Sequence, residues 1–438
     1  MGEWQINKCL ELQEKAQKLI PGMTQLFSKR PDLFSLGVWP TYFKEAKGSH
    51  VIDLDGNEYV DCSCGGIGAT VLGYADEDVN RAVANVVATG SACSLNPPEE
   101  VALAEKLIEL HPWADMARFA RSGGEAMAIA VRIARAYSKR DVVLYCGYHG
   151  CMDWFLASNV EYPGMVNKEL LGFSSAGIPK AMGGTAIPFL FNDVESFRRA
   201  VKAAGENLGA IVLEPIRNFA PTQEFMDAVH TVARETDTPF IMDEITAAFR
   251  ICNGGAHLKL GWQPDVAVFA KALGNGYPMS AIIGKRKVMV AVQDTFTSST
   301  NWTERIGPAA ALAMIEKFVR VDASTHMMAI AKRVKDGWEQ LGAKYNQDVH
   351  VTGSTPLWHL GWNTPDDSVN RAFYTQEMLK RGYLAGGLFY AMYAHTHEEI
   401  DGYLAATEEV FSLVEKYRGT IADRLIGQPA GKGFKRIN

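Results

Sequence analysis

The chain has 438 residues, of which 47% are hydrophobic and 21% are charged. This length suffices for two or three packed units of about 100–200 residues each. The composition is that of a folded globular protein, which excludes a disordered chain, a collagen-like repeat and a coiled coil. The net charge is −6, and no block of lysine and arginine marks a surface for nucleic acid. Glycine, with 40 residues, exceeds its usual share of about 7%, so the positions of the glycines are informative.

The N-terminal segment and the cysteines predict a cytoplasmic protein. Residues 1–22 are charged throughout and contain no apolar signal-peptide core, and no apolar run reaches the roughly 18 residues of a membrane span. The seven cysteines form no pair of C-x-x-C units, so neither a disulfide framework nor a zinc site is indicated. Cys62-Ser63-Cys64 is a weak metal pattern for which packed, reduced thiols are the alternative. We expect no bound metal and no membrane partner.

The predicted elements follow the hydrophobic periodicity along the chain. A helix over 10–20 precedes a hairpin over 50–61, which turns at Asp55-Gly56. Helices are then predicted at 78–89, 99–110, 125–138, 193–204, 223–236, 308–319 and 324–342. Short apolar, strand-like runs are predicted at 118–121, 141–146, 209–216, 239–245, 265–270 and 280–284. Because these runs are continuously apolar and helices separate several of them, they predict an α/β protein with a mainly parallel sheet covered on both faces.

Two of the predicted strands end in segments suited to a flat, phosphorylated ligand. Ser122-Gly123-Gly124 opens the helix over 125–138, and a glycine-rich helix N-terminus presents bare amides to a phosphate. The alternative is a tight turn with Ser122 as the N-cap. Tyr148-His149-Gly150 follows the strand over 141–146, where an aromatic ring can cover a flat cofactor. The alternative there is a surface turn.

Charged residues follow three further strands. Asp243 ends an apolar strand, where a carboxylate is costly unless it meets a cation such as a protonated pyridine nitrogen. N-capping of a following helix is the alternative. Glu214 ends the preceding strand, and it can bind a ligand or loop backbone. Lys271, just past the strand over 265–270, can form a Schiff base, although most lysines are simply solvated. A phosphate cradle, an aromatic lid, a carboxylate and a lysine on one sheet edge together match the requirements of pyridoxal 5′-phosphate (PLP).

The sequence resembles the class III aminotransferases of fold type I, and within them the glutamate-1-semialdehyde aminomutase group. The resemblance covers residues 8–415. It is carried by DLDGNEYVDC (53–62), RSGGEAMAIAVRIARA (121–136), YHG (148–150), LEPI (213–216), MDEITAAFR (242–250), FAKALGNGYPMSAIIG (269–284) and TERIGPAAALA (303–313). It implies a large PLP-binding domain at 71–309. The N-terminal segment 1–70 joins the C-terminal region 310–438 in a small α+β domain.

The resemblance also implies a role for each matching residue. Lys271 corresponds to the Schiff-base lysine, which also moves the proton, and Asp243 corresponds to the partner of the pyridine nitrogen. Further positions correspond to cofactor contacts: Ser122, Gly123 and Gly124 at the phosphate, Tyr148 and Ile245 at the two ring faces, His149 beside Tyr148, and Glu214 and Asn218 near the 3′-oxygen. Thr303 corresponds to a residue that reaches the phosphate of the neighbouring subunit in a homodimer with shared active sites.

Departures from the aminomutase pattern concentrate in the substrate region. LFYAMY (388–393) has Tyr390 where aminomutases carry a glutamate, and SKRPDLFSLGVWP (28–40) replaces their N-terminal substrate segment. The segment 174–180 does resemble their gating loop. The resemblance therefore implies an aminotransferase that uses glutamate as the donor and a different carbonyl acceptor. An oxidised sugar such as the C8 aldehyde of a 3-deoxy-octulosonate, for an amino sugar of lipopolysaccharide, is the acceptor suggested. Arg30 and Arg217 are candidate carboxylate clamps, with surface roles as the alternative.

Three other functions stay open at this point. A true aminomutase keeps the amino group on one molecule. A PLP-binding regulatory protein needs an attached DNA-binding module, and no basic helix-turn-helix pattern precedes residue 50. A catalytically silent scaffold is disfavoured because Lys271 and Asp243 are both present.

Overall fold

The computed structural model describes residues 4–163, 165, 173–216, 218–354 and 356–431. These residues form two compact units. We name residues 4–76 and 322–431 the terminal unit and residues 77–321 the central unit. Each unit is described separately below.

The elements of the described chain are numbered in chain order. The helices are α1 Asn7–Leu19, α2 Gly65–Gly68, α3 Glu77–Thr89, α4 Pro98–Leu110, α5 Gly123–Ser138, α6 Asp153–Leu156, α7 Val194–Ala204, α8 Gln223–Glu235, α9 His257–Leu260, α10 Arg286–Met289, α11 Ile306–Arg320, α12 Ala323–Lys344, α13 Asp367–Leu379 and α14 His397–Lys416. The strands are β1 Phe43–Lys47, β2 His50–Asp53, β3 Glu58–Asp61, β4 Met116–Ala120, β5 Val142–Cys146, β6 Ala186–Pro188, β7 Leu208–Leu213, β8 Phe240–Asp243, β9 Val266–Phe269, β10 Ser280–Gly284, β11 Val349–Ser354, β12 Leu357–Trp362, β13 Tyr383–Leu384 and β14 Leu388–Tyr390.

The boundaries of the two units differ from those expected from the sequence. They lie between Asp76 and Glu77 and between Val321 and Asp322, rather than after residues 70 and 309. The shift of the second boundary, from residue 309 to Val321, is explained by helix packing. The helix α11 packs on α3 and α4 and therefore stays with the central unit.

The central unit is built on a seven-stranded sheet with the order β4-β10-β9-β8-β7-β5-β6. Strands β9, β8, β7, β5 and β6 run parallel, which confirms the mainly parallel sheet. Only β10 runs against its neighbours β4 and β9. The connection from β9 to β10 spans residues 270–279, which is too short for the crossover that a parallel pair requires. As a result β4 has the same direction as β9, and the carboxyl ends of β4, β5, β7, β8 and β9 share one edge of the sheet.

Helix α5 packs against this sheet through small and branched apolar residues. Its buried residues are Ala126, Met127, Ile129, Ala130, Val131, Ile133 and Ala134, and they share one core with residues of β4, β5, β7, β8, β9 and β10. Alanines at three of these positions allow the helix axis to lie close to the strands. The start of α5 is thereby fixed at the sheet edge where the strands end.

The terminal unit joins both ends of the chain in two small sheets. One sheet has the order β1-β2-β3-β13 and the other has the order β11-β12-β14. Strand β13 pairs in parallel with β3, with Tyr383 opposite Val60. The predicted turn at Asp55-Gly56 is present, and the Asp53 carboxylate holds it by accepting from the amides of Asp55 and Asn57, both at 2.9 Å.

Two further findings concern the described residues of both units. None of the helices in the described ranges combines the length and the apolar character that crossing a bilayer requires. The cysteines at 9, 62, 64, 93, 146, 151 and 252 are free thiols.

A buried histidine in the terminal unit predicts that its stability depends on pH. The His395 ring accepts at Nδ1 from the Met392 amide at 3.0 Å, and its Nε2 donates to the Asp61 carbonyl at 2.9 Å. The ring is therefore neutral. Burial lowers the pKa of His395 to about 4, so between pH 6.5 and 4 the unfolded chain binds a proton that the folded chain excludes. We expect this histidine alone to reduce the free energy of unfolding by about 1.4 kcal/mol per pH unit as the pH falls through that window.

Urea unfolding at pH 7.5, 6 and 5 tests this expectation. The variant His395→Gln cannot titrate and should lose that part of the pH slope, whereas the exposed His350→Gln should keep it. Equal slopes in the wild type and His395→Gln would contradict the assignment.

Candidate active site

Most of the predicted site residues lie at or just beyond the carboxyl ends of the strands in the central unit. Each strand end contributes one segment to this edge, as is usual for ligand sites of open α/β sheets. These segments are Arg121–Gly124 after β4, Gly147–Gly150 after β5, Glu214 after β7, Asp243–Thr246 at the end of β8, and Lys271 after β9. The parallel direction of the strands brings together residues that are up to about 150 positions apart in the sequence.

The N-terminus of α5 presents two amides. The Ser122 side chain and Glu125 form a reciprocal capping box, and the Ser122 carbonyl accepts from the amide of Ala126. In the described chain these bonds account for the third and fourth amides of the helix, so the amides of Gly123 and Gly124 are available to a ligand. A Cβ at Gly123 would lie 2.9 Å from Cδ1 of Ile245. Glycine thus lets the helix start approach Ile245 closely.

The segment with Tyr148 lies against the same helix start. A Cβ at Gly150 would lie 3.1 Å from Cα of Gly124. The Tyr148 ring is half-buried and packs edge-on against Phe155, with 5.8 Å between ring centroids. The backbone amide of Tyr148 donates to Oε2 of Glu214 at 3.2 Å. The contact with Glu214 therefore links the ends of β5 and β7.

Gly147 gives the Glu214 carboxylate its space, and its replacement should displace that carboxylate. The residue has a φ of +113°, and a Cβ there would lie 2.5 Å from Oε2 of Glu214. We expect Gly147→Ala to destabilise the apoprotein by about 1–3 kcal/mol and to weaken PLP binding by about tenfold. Chemical unfolding and equilibrium dialysis measure the two effects.

Gly90→Ala is the matched control, because Gly90 has a φ of +104° with no atom within 4 Å of the added Cβ. It shares the backbone strain without the clash. If both variants bind PLP as tightly as the wild type, the importance of the Glu214 position is refuted.

Asp243 and His149 form a buried pair that shares a proton. The exposed fractions of their side chains are 3% and 0%, and Nδ1 of His149 lies 2.7 Å from Oδ2 of Asp243. Nε2 of His149 is 3.1 Å from the Cys146 carbonyl, which can only accept, so Nε2 carries a hydrogen. A proton must therefore also lie between Nδ1 and the carboxyl. The second oxygen of Asp243 accepts from the Ile245 amide at 3.0 Å.

Aromatic rings enclose this pair on the histidine side. The His149 ring lies 5.6 Å from Phe155 and 6.0 Å from Tyr145, both edge-on, and it stacks on Trp154 at 6.1 Å. Burial raises the pKa of the Asp243 carboxyl, and the hydrogen bond from His149 opposes that rise. The net effect is a carboxyl that holds its proton more firmly than an exposed aspartate does, with His149 as its hydrogen-bond partner.

Lys271 follows the neighbouring strand β9. In the sheet, Asp243 is paired with Val268, and Lys271 follows three residues later. The lysine is half-buried, and its Nζ donates to Oγ1 of Thr246 at 2.8 Å. An amine, a buried carboxylate and a hydroxyl therefore occur at the ends of two adjacent strands.

A second buried network, which sequence reasoning missed, fixes the segment after Asp243. Glu244 is fully buried and accepts from the amides of Ala256 and His257 and from Nδ1 of His257 at 2.7 Å. The Trp113 indole, which can only donate, binds Nε2 of His257 at 2.9 Å. This histidine is therefore neutral. The sequence did not show that the two adjacent acidic residues have different roles. Asp243 lies at the site edge, whereas Glu244 binds the backbone amides of residues 256 and 257.

The remaining predicted residues lie outside these contacts. Thr303 is exposed, and its hydroxyl donates to the Thr300 carbonyl at 2.9 Å. Sequence reasoning missed Arg121, which donates to the carbonyls of Trp302 and Glu304 at 3.0 and 2.8 Å and so holds the segment that carries Thr303. Asn218 is half-buried in the connection between β7 and α8.

Of the two candidate carboxylate clamps, the structure describes only Arg30. Arg30 belongs to the terminal unit, and its guanidinium makes two hydrogen bonds to Asp32, at 3.0 and 2.8 Å. Arg217 lies outside the described residues.

The residues at this edge fit PLP. They offer two glycine amides at a helix N-terminus for a phosphate, a buried carboxylate with its own proton partner for a pyridine nitrogen, and a lysine amine for an aldehyde. The close approaches at Gly123 and Gly150 leave no room there for larger side chains. The fold and the site together define a fold type I PLP-dependent enzyme.

Comparisons with known proteins agree with this class. The family model described as aminotransferase class-III matches residues 36–395. The chain therefore belongs to the class III aminotransferases and is a PLP-dependent aminotransferase. Among solved structures, the FumI protein of Sphingopyxis sp. MTA144 superimposes with a TM-score of 0.85 at 24% identity, over 97% of this chain and 99% of that chain. This similarity confirms the predicted fold.

Curated relatives carry several different names. The 3-aminobutyryl-CoA aminotransferase of Cloacimonas acidaminovorans is 29% identical and covers 93% of this chain and 98% of its own length. The 2′-deamino-2′-hydroxyneamine transaminase of Streptomyces kanamyceticus is 29% identical, over 90% of this chain and 93% of its own length. The glutamate-1-semialdehyde 2,1-aminomutase of Anaeromyxobacter dehalogenans is 30% identical, over 93% of this chain and 98% of its own length.

Proposed function

We propose that this aminotransferase moves an amino group from L-glutamate to a carbonyl acceptor on a separate molecule. One observation carries the assignment of residues. Lys271 and the Asp243–His149 pair lie at the carboxyl ends of the adjacent strands β9 and β8. The first provides an amine that can hold and move a proton, and the second provides a buried carboxyl group at the end of the adjacent strand.

Each residue then has a definite task. PLP, when bound, supplies an electron-withdrawing ring that makes a carbon-bound proton of an amino substrate removable. Asp243 holds a proton at the pyridine nitrogen, and His149 keeps that carboxyl charged and oriented. Lys271 anchors the cofactor and transfers the proton. The amides of Gly123 and Gly124, with Ser122, bind the phosphate.

The other cofactor contacts belong to the same proposal. Tyr148 and Ile245 pack on the two faces of the ring, and Glu214 and Asn218 lie near its 3′-oxygen. These roles follow from the family resemblance. The contacts of Gly123 with Ile245 and of Tyr148 with Glu214 support them.

For the acceptor we propose an oxidised sugar, with the C8 aldehyde of a 3-deoxy-octulosonate as the specific case, in the synthesis of an amino sugar for lipopolysaccharide. Two observations support a sugar. One relative is named for a hydroxyneamine substrate, and neamine is an aminated sugar. In this chain Tyr390 replaces the glutamate of the aminomutase pattern; it is buried in β14, with its ring 6.1 Å from that of His359.

The second candidate is glutamate-1-semialdehyde 2,1-aminomutase activity. The relative at 30% identity favours it, since it carries that name. In an aminomutase the amino group stays on one molecule, so the two candidates differ in where a nitrogen label ends.

Incubation with [15N]glutamate separates the two candidates. With the sugar aldehyde as acceptor, we expect mass spectrometry to show the 15N label in the amino sugar. Conversion of unlabelled glutamate-1-semialdehyde to 5-aminolevulinate without label uptake, and no product from the sugar aldehyde, would identify an aminomutase instead.

We include a homodimer and a cytoplasmic location in the proposal. Thr303, Trp302 and the exposed Val101 line a surface cavity of about 400 Å³ in the central unit. A second subunit covering this cavity would bring its phosphate site to Thr303. The free cysteines suit a reducing compartment. Sedimentation of the purified protein at two concentrations tests the dimer.

A further inference from the structure

We propose that Thr246 is a positioning residue that aims the amine of Lys271. The proposal rests on the function proposed above, in which that amine reacts with PLP. Its starting point is the hydrogen bond of 2.8 Å from Nζ of Lys271 to Oγ1 of Thr246. The pattern of the sequence did not single out Thr246.

The backbone fixes only the root of the lysine side chain. Lys271 has a φ of +47°, in the left-handed region that costs a non-glycine residue about 1 kcal/mol. It begins a tight turn over Lys271–Gly274, in which the Leu273 amide donates to the Ala270 carbonyl at 3.1 Å. Four rotatable bonds still separate this root from the amine. A contact at the tip is therefore needed to select one direction.

Thr246 itself is held on a rigid segment. Its carbonyl accepts from Nε of Arg250 at 3.3 Å, and Arg250 is only 2% exposed. Two residues earlier, the Glu244 carbonyl accepts from the Ala248 amide at 2.9 Å. The hydroxyl that binds the amine is thereby fixed relative to the protein core.

The same short segment carries Asp243. The Asp243 carboxylate binds the Ile245 amide at 3.0 Å, so residues 243–246 form one locked turn. Thr246 therefore sets the position of the amine relative to the carboxylate that is proposed to hold the pyridine nitrogen. Threonine suits this task because its side chain has restricted rotamers, and because its hydroxyl both donates and accepts and so binds the amine in either charge state.

Two substitutions separate the hydroxyl from the shape of the side chain. Thr246→Val keeps the branched shape and removes the hydroxyl, and Thr246→Ser keeps the hydroxyl. The full-length apoprotein of each is mixed with PLP, whose aldehyde condenses with the Lys271 amine. That step exchanges the C=O bond for a C=N bond and releases one water. Borohydride trapping at timed intervals, followed by mass spectrometry of the Lys271 peptide, gives the rate.

The control ligand is pyridoxamine 5′-phosphate, which has no aldehyde and binds without reacting. We expect Thr246→Val to slow the capture of PLP by about tenfold, which corresponds to one hydrogen bond, and to leave the affinity for pyridoxamine 5′-phosphate within twofold of the wild type. Thr246→Ser should capture PLP at close to the wild-type rate.

Three results would overturn the proposal. Unchanged capture in Thr246→Val means that the hydroxyl does not aim the amine. A parallel loss of affinity for pyridoxamine 5′-phosphate means that Thr246 only supports the shape of the site. If the wild type retains no PLP on Lys271, the role of the lysine itself fails, and that result refutes the proposed function separately.

Discussion

Lys271→Ala should abolish the covalent retention of PLP and lower transamination by about 10³-fold or more. The expected loss is large because one amine both anchors the cofactor and moves the proton, and a positioned acid–base group alone contributes about 10²–10⁴-fold. The side chain is half-buried, and its Nζ donates a hydrogen bond to Thr246.

The measurement combines an activity assay with borohydride reduction and peptide mass spectrometry. Lys202→Ala is the matched control, because Lys202 is an exposed lysine on α7. It should retain both activity and the cofactor on position 271. If the Lys271→Ala variant, with its sequence confirmed, still transaminates at nearly the wild-type rate, another group carries out the proton transfer.

Asp243→Asn should lower the turnover number by about 10²–10³-fold while the variant still binds PLP. The asparagine has nearly the same shape and can still hydrogen-bond His149, but it lacks the negative charge that holds a proton at the pyridine nitrogen. The effect should fall on the turnover number rather than on the Michaelis constant, since the lost interaction acts on the developing charge. Steady-state kinetics in both substrates measures this split.

The same substitution, which should lower activity, should raise the stability of the apoprotein at neutral pH. Burial raises the pKa of the Asp243 carboxyl. Above pH 4 the unfolded chain releases this proton more readily than the folded chain, so the residue's contribution to stability is present at low pH and is lost as the pH rises through the raised pKa. Asp243→Asn removes this loss. Its apoprotein should gain stability over the wild type between pH 4.5 and 7.5, as measured by urea unfolding.

Asp227→Asn is the control for this pair of effects, because Asp227 is an exposed carboxylate on α8. It should alter neither the turnover number nor the pH profile of unfolding. An Asp243→Asn enzyme with wild-type turnover would show that the charge of Asp243 does not act on the cofactor.

Much of the fold could be predicted from the sequence because its signals are local. The apolar runs at 141–146 and 265–270 and the helical period over 125–138 each lie within one element, and the structure contains all three. The reversed direction of β10 was not predicted. It follows from the pairing of β10 with β9 across a short connection, and hydrophobicity alone does not report strand direction.

Part of the candidate site could be predicted in the same way. Asp243 and Lys271 follow apolar strand-like runs, and Gly123-Gly124 opens a helix, so a local sequence pattern identifies each of these positions. Glu244 is also a carboxylate and is adjacent to Asp243 in the sequence, but it binds His257 instead. His257 in turn accepts a hydrogen bond from Trp113, which lies 144 positions away in the sequence. A hydrogen bond of that span depends on packing and rotamers, which periodicity does not encode.

The sequence by itself determined the class of the protein, the cofactor and the residues that stand at the strand ends, because those depend on residue type next to a local pattern. Only the tertiary structure decided which groups surround them. It showed the close contact of His149 with Asp243, the hydroxyl of Thr246 at the lysine amine, and the hydrogen bonds from Arg121 to the segment of Thr303. These contacts join residues 25 to 181 positions apart, and such contacts form only when the folded chain packs distant segments together.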